Sequence, residues 1–216
     1  MLSNNVVIVG AGSHARAAIS IARESKKCRI IGILDWACDF DASESVAGVK
    51  VLGSLDEQNS SIVNTYKGSC VFFVGIGDNK IRQLVFNELQ RHGVEFISLI
   101  SCSANIASDS TIHKASIVGI GAIVNTHTVV LENSIINSGS TLEHDVLIGA
   151  HCHIGPRAIL CGSVNVGDGV LVGAGSIILP KIEIASGVKI GAGSIVTKNI
   201  MEANSIYLGA PARRVS

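Results

Sequence analysis

The sequence predicts an α/β unit built on a parallel sheet over residues 1–100, followed by an all-β parallel solenoid over residues 106–216 that ends in a C-terminal tail. Three observations carry this. A glycine-rich turn near the N-terminus separates a short apolar run from an alanine-rich stretch. From Ile106 to Val196 every sixth residue is Ile, Leu or Val, without a miss. The chain is apolar (47%) yet poor in aromatics (4%), which suits a core of small aliphatics.

The first unit opens with Val6-Val7-Ile8-Val9, read as a buried strand. Gly10-Ala11-Gly12-Ser13-His14-Ala15 forms the turn, and a helix is expected from about His14 to Glu24 with Ala15, Ala18 and Ala22 on its packing side. Arg29 to Leu34 reads as a second strand ending at Asp35. This is a Rossmann-like βαβ opening with Gly-x-Gly-x-x-Ala at its first turn. A second strand-and-turn follows at Val71–Val74 and Gly75-Ile76-Gly77-Asp78-Asn79. Ile81, Leu84, Val85 and Leu89 are expected to share one face of the next helix, which Gly93 stops. Phe96 to Ile100 is expected to be a further strand.

The physical task of such a first turn is phosphate binding. Gly10 and Gly12 let the backbone approach a ligand, and the helix beginning at Ser13 and His14 aims free N–H groups at an anion. Asp35 stands where an acid meets a ribose or base. The motif does not name the nucleotide, and a turn needing glycine only for geometry is the competing reading.

In the second part the period of six excludes helix and plain strand alternation. Each hexad makes one short parallel strand and a turn, and three hexads make one triangular coil. Sixteen hexads give five coils and one extra strand. Gly follows the aliphatic at Gly119, Gly149, Gly155, Gly167, Gly173 and Gly191, where it is expected to relieve crowding or take positive φ. Small residues recur four positions after the aliphatic, as at Ser116, Ser134 and Ser176. The short junction 101–105 is expected to hold the two parts close together.

Zero net charge and no basic run give nucleic-acid binding no electrostatic support. No apolar run is long enough for a membrane span, and residues 1–9 lack the pattern of a signal peptide, so a cytoplasmic protein is expected. The cysteines Cys28, Cys38, Cys70, Cys102, Cys152 and Cys161 form no Cys-x-x-Cys pair and are read as buried free thiols. No metal is expected. His151 and His153 flank Cys152, but no ligand cluster of zinc-like spacing accompanies them.

Several stretches together resemble the PglD/NeuD-type bacterial sugar acyltransferases, whose hexapeptide repeats form a left-handed β-helix. They are Val7 to Ala15, Ile76-Gly77-Asp78-Asn79, Ile136 to Asp145, His153, Cys161-Gly162 and Gly209-Ala210-Pro211-Ala212-Arg213. The resemblance covers nearly the whole chain, and it alone supplies the handedness. It implies that the first unit holds a nucleotide-linked sugar, usually a UDP-sugar, through Gly10, Gly12, Ser13, His14 and Asp35. It implies a homotrimer that binds acetyl-CoA in grooves between subunits, with Gly162, Gly173, Ala174 and Ala192 along the pantetheine arm. His144 becomes the general base, supported by Asp145 and His153, and Asn137 touches the substrate. The chain departs from the pattern at Asp145, where Glu is frequent, at Ser101-Cys102 in the junction, and at Arg157, where a small residue is frequent.

The chemistry fits a histidine base, since a protonated sugar amine must lose a proton before it attacks a thioester. Asp145 or a backbone carbonyl fixes the imidazole tautomer; neighbours on a strand point to opposite faces, so a turn geometry would be needed for Asp145. Backbone N–H groups at a nearby glycine turn are the expected oxyanion donors. Direct transfer is expected, with Cys152 and Cys161 the only alternative nucleophiles nearby. His113 and His127 are read as surface or inter-subunit polar residues. The leading activity is acetyl-CoA-dependent N-acetylation of an amino-deoxysugar. O-acetylation of a sugar of the sialic-acid type is the near rival; an NAD-dependent enzyme or a non-catalytic scaffold is more remote.

Overall fold

In this computed structural model, residues 4–25, 28–36, 44–55 and 61–215 are described. The chain divides into two compact units, residues 1–100 and 101–216. Cys38 lies outside the described residues.

The first unit runs β1 (Asn4–Val9), α1 (Ser13–Glu24), β2 (Cys28–Asp35), β3 (Ser45–Val46), β4 (Val49–Ser54), α2 (Ile62–Tyr66), β5 (Val71–Val74) and α3 (Asn79–Arg91). The sheet order β3-β4-β2-β1-β5 puts β1 between β2 and β5, both parallel to it. That position explains why Val6 to Val9 are all fully buried and why the strand reads as an unbroken apolar run. β3 departs from the parallel expectation: it pairs antiparallel with β4 through a turn at Ala47 and Gly48, both at positive φ. The Arg23 side chain ties that turn to α1 by donating to the Ala47 carbonyl at 2.7 Å.

Helix α1 buries Ala15, Ala18 and Ala22 as expected, together with Ile19 and Ile21. The face expected for α3 is half right, since Val85 and Leu89 are buried. Ile81 and Leu84 are exposed, and the buried arc is Arg82, Val85, Phe86 and Leu89. The apolar pattern could not place an arginine in a core. Gly93, at φ +67, follows the helix as expected. The strand expected over Phe96–Ile100 is reduced to one bridge between Phe96 and Phe72 plus the two-residue strand Leu99–Ile100. The segment leaves β5 after Ile97 donates to the Phe72 carbonyl.

The second unit is a left-handed parallel β-helix of hexapeptide repeats. Sixteen two-residue strands, from Asn105–Ile106 to Ile195–Val196, follow the period without a slip. Strands pair in parallel at a spacing of 18 residues, as in Ile123 with Thr141 and Thr141 with Ile159, so one coil is three hexads. The aliphatic column from Val118 through Val196 is buried. No single coil could bury it, and stacking supplies the core.

The glycine expectation is half right. Glycines directly after the aliphatic do not take positive φ. They are needed because the next coil lies against them: a Cβ on Gly149 would stand 2.6 Å from the Gly167 carbonyl carbon, and one on Gly155 would stand 2.6 Å from the Val172 carbonyl oxygen. Positive φ falls two positions later, at Gly121, Gly139, Gly175 and Gly193, and also at Asn133, Asp145, His151, Arg157 and Lys181. Small residues four after the aliphatic are buried in the turns. The Ser116, Ser134 and Ser176 hydroxyls each donate to a carbonyl fifteen residues on, at 3.1, 2.9 and 2.9 Å, which locks each coil to the next.

Candidate active site

His144 sits in the turn that follows the Thr141–Leu142 strand. Its Nδ1 meets the Asp145 carboxylate at 2.8 Å. Asp145 reaches back to its neighbour because it is not extended: its φ is +59, and its N–H is held by the Thr126 carbonyl of the preceding coil at 3.0 Å. A carboxylate only accepts, so the proton of a neutral His144 lies on Nδ1. Nε2 then carries the lone pair. Both side chains are a little over half exposed, at 56% and 54%, so a substrate can reach them.

Gly162, one coil beyond, provides the seat for the ring. A Cβ there would lie 2.5 Å from both Cε1 and Nε2 of His144. The Ser163 N–H donates to the His144 carbonyl at 2.9 Å, and the Gly162 N–H makes no hydrogen bond among the described residues.

Asn137 and His153 form a second group. The Asn137 side-chain oxygen accepts from the Ser138 N–H at 2.8 Å, which turns the side-chain amide nitrogen toward His153 Nε2 at 3.1 Å. The amide only donates, so that Nε2 lone pair is engaged. No such donor meets His144 Nε2 among the described residues. Asn137 precedes the Thr141–Leu142 strand and His144 follows it, so the two groups mark opposite ends of one face. Seven residues separate Asn137 from His144, and the two groups occupy successive corners of one coil. Gly173, Ala174 and Ala192 share the corner of Asn137: a Cβ on Gly173 would strike the Ala192 nitrogen, and Gly193 donates to the Ala174 carbonyl. Gly162 belongs to the other corner, with His144.

In the first unit the Gly10–His14 turn links β1 to α1. Gly12 caps α1 without any side-chain hydrogen bond among the described residues, and a helix N-terminus of this kind suits an external anion. At α3 the equivalent place is filled, because the Asp78 carboxylate accepts from Lys80 and Ile81 N–H at 2.9 and 3.0 Å. Asp35 ends β2 as expected and is only 2% exposed.

The model of the PglD N-terminal domain matches residues 5–89. The bacterial transferase hexapeptide model (six repeats) matches residues 127–162 and 163–198. No curated protein matches the sequence. The structure of PerB from Caulobacter crescentus, in complex with CoA and GDP-perosamine, is 30% identical with a TM-score of 0.88, covering 99% of this chain and 98% of that one. The chain belongs to the PglD/NeuD-type sugar acyltransferases. A second similar structure is a histidine-to-asparagine variant of perosamine N-acetyltransferase from Caulobacter crescentus, also with CoA and GDP-perosamine. It is 29% identical, has a TM-score of 0.89, and covers 99% of this chain and 97% of that one. The acetyltransferase domain of PglB from Neisseria gonorrhoeae FA1090 shares the fold at 24% identity, a TM-score of 0.88, and 99% and 100% coverage.

Membership makes the chain an acyltransferase, and its cysteines bear on how it acts. Burial first, then the Glu143 carboxylate, push the Cys161 thiol above its usual range, which makes a thiolate scarce. Cys152 is buried and donates to the Gly167 carbonyl at 3.1 Å. The others correct the expectation of buried thiols: Cys28, Cys70 and Cys161 are half-buried and Cys102 is exposed. His113 and His127 are exposed, as expected. Among the described residues no group of three or more His, Cys, Asp or Glu is placed to hold a metal, and no helix is long and apolar enough to cross a membrane.

Sequence reading placed Gly162 along the cofactor and missed its contact with His144. A stacking offset of 18 residues, applied to His144, would have found it. Gly162→Ala is expected to displace the imidazole and lower kcat by about 10²-fold, the scale of an ångström-level misplacement, with little change in melting temperature. Steady-state kinetics and a thermal melt check this; a full-rate Gly162→Ala enzyme would mean the ring has room elsewhere.

Proposed function

We propose that the protein transfers the acetyl group of acetyl-CoA to the amino group of a nucleoside-diphosphate amino-deoxysugar, directly and with His144 as general base. The observation that carries this reading is the His144 Nδ1–Asp145 contact at 2.8 Å, which leaves Nε2 as the basic atom in an accessible turn. In the reaction the sugar amine attacks the thioester carbonyl and Nε2 takes the amine proton. The tetrahedral intermediate then expels the CoA thiolate, which takes that proton, giving amide and CoA thiol. The Gly162 N–H beside the imidazole is the donor we assign to the developing oxyanion. The first unit recognises the nucleotide through the open N-terminus of α1 and the Gly10–His14 turn, with Asp35 at the ribose or base.

Support for the substrates comes from the similar structures at 29–30% identity, which hold CoA and GDP-perosamine. The family resemblance points to UDP as the usual carrier, so both nucleotides belong in the assay. We further propose a homotrimer. The outward residues of the face between His144 and Asn137 include Ile123 and Ile159, each 39% exposed, and Ile177 and Ile195 in the same register. Such an apolar stripe is suited to burial against a second copy.

The deciding experiment is CoA release from acetyl-CoA against GDP-, UDP- and dTDP-linked amino-deoxysugars, with sialic acid as the hydroxyl acceptor. Fast release with an amino sugar is expected. Release with sialic acid alone would overturn N-acetylation in favour of O-acetylation, and release with none would remove the acetyltransferase reading.

A further inference from the structure

Arg82 is the largest fully buried side chain of the described residues, at 1% exposed. It stands on the first turn of α3, and its guanidinium folds back on the β5 exit turn. Nη1 donates to the Ile76 and Gly77 carbonyls at 3.3 and 3.1 Å, and Nη2 donates to the Asn79 side-chain oxygen at 2.8 Å. A buried cation is costly unless its donors are satisfied, so this arrangement fixes the turn firmly.

The consequence follows from the planar trans peptide. A carbonyl and the next N–H point in opposite directions. With the Ile76 and Gly77 carbonyls drawn inward to Arg82, the Gly77 and Asp78 N–H groups point the other way. Neither makes a hydrogen bond among the described residues. The turn also lies against the first glycine turn. A Cβ on Gly10 would stand 2.6 Å from Ile76 Cγ1, one on Gly75 would stand 3.2 Å from Ala15 Cα, and one on Gly77 would stand 3.5 Å from His14 Cβ.

We infer that Arg82 is a positioning residue for nucleotide recognition. It acts from beneath the site, presenting the Gly77 and Asp78 N–H groups beside the open N-terminus of α1, so that the diphosphate meets amides from two adjacent turns. Being buried, it does not touch the ligand. The inference rests on the nucleotide-binding reading of the first unit. Lysine cannot replace it, because a single ammonium does not reproduce the planar fork that reaches three acceptors.

The test uses the full-length enzyme, with GDP and UDP binding measured by calorimetry and KM measured separately for nucleotide sugar and acetyl-CoA. For Arg82→Lys, nucleotide affinity is expected to fall about tenfold or more, the scale of a lost hydrogen bond or two. The acetyl-CoA KM and the kcat at saturating sugar are expected to stay near wild type. A general structural defect would move all three together. Should Arg82→Lys fail to fold, Asn79→Ala removes one acceptor and leaves the arginine in place; a smaller loss confined to nucleotide affinity is then expected. Folded variants that bind nucleotide as tightly as wild type would overturn the assignment of Arg82 alone. A wild-type protein that binds neither GDP nor UDP would remove the nucleotide reading and this inference with it.

Discussion

Replacing His144 with alanine is expected to lower kcat by roughly 10²–10⁴, the usual span for loss of a general base, and to leave the KM for acetyl-CoA within about twofold. The effect should be this large because no neighbouring group can stand in. The His153 Nε2 lone pair is engaged by the Asn137 amide, and the half-buried Cys161 thiol is pushed away from its thiolate form. The variant should also fold normally. The imidazole is more than half exposed, and its removal opens no core cavity. Asp145→Asn isolates the role of the carboxylate, since it keeps the turn but removes the group that fixes the tautomer. Its kcat should fall by less than that of His144→Ala. Steady-state kinetics on the acceptor that works in the CoA-release assay reads both. A near-normal rate for His144→Ala would remove His144 from the mechanism.

The repeat made the β-helix core legible, while His144, Asp145, His153 and Asn137 were named only by the family resemblance. A strict period fixes every residue's place in its coil, so the aliphatic column from Val118 to Val196 could be read off directly. What could not be read were contacts set by local backbone conformation. Asp145 faces His144 only because its φ is positive, and a plain strand rule points it away. The glycines after each aliphatic invited a positive-φ explanation, while the structure needs them for close approach of the next coil. In the first unit, apolar patterning chose Ile81 and Leu84 for the core. The true buried arc includes Arg82, whose hydrogen bonds make a charged residue tolerable there. Hydrophobic periodicity carries no information about such a satisfied polar group.

The second large effect concerns the assembly. His144 pairs with Asp145 after the Thr141–Leu142 strand and His153 pairs with Asn137 before it, so the two groups stand at different corners of the coil. We propose that both serve catalysis, with each site taking His144 from one copy and His153 from the next, across the stripe carrying Ile123 and Ile159. His153→Ala is then expected to be nearly as inactive as His144→Ala, each on the order of 10⁻² of wild type or below. Co-expression of the two variants under different affinity tags allows trimers containing both to be isolated. Around a closed three-fold ring, a mixed trimer of either composition has one junction where an intact His144 meets an intact His153. Its activity should therefore recover to about one third of wild type. Sites confined to single chains would give no recovery, because every chain would lack one histidine. Ile159→Glu provides the physical control: a charge placed on the apolar face should shift sedimentation toward monomer and abolish turnover, while the buried column inside each prism stays intact. A monomeric Ile159→Glu protein with full activity would rule out the shared site.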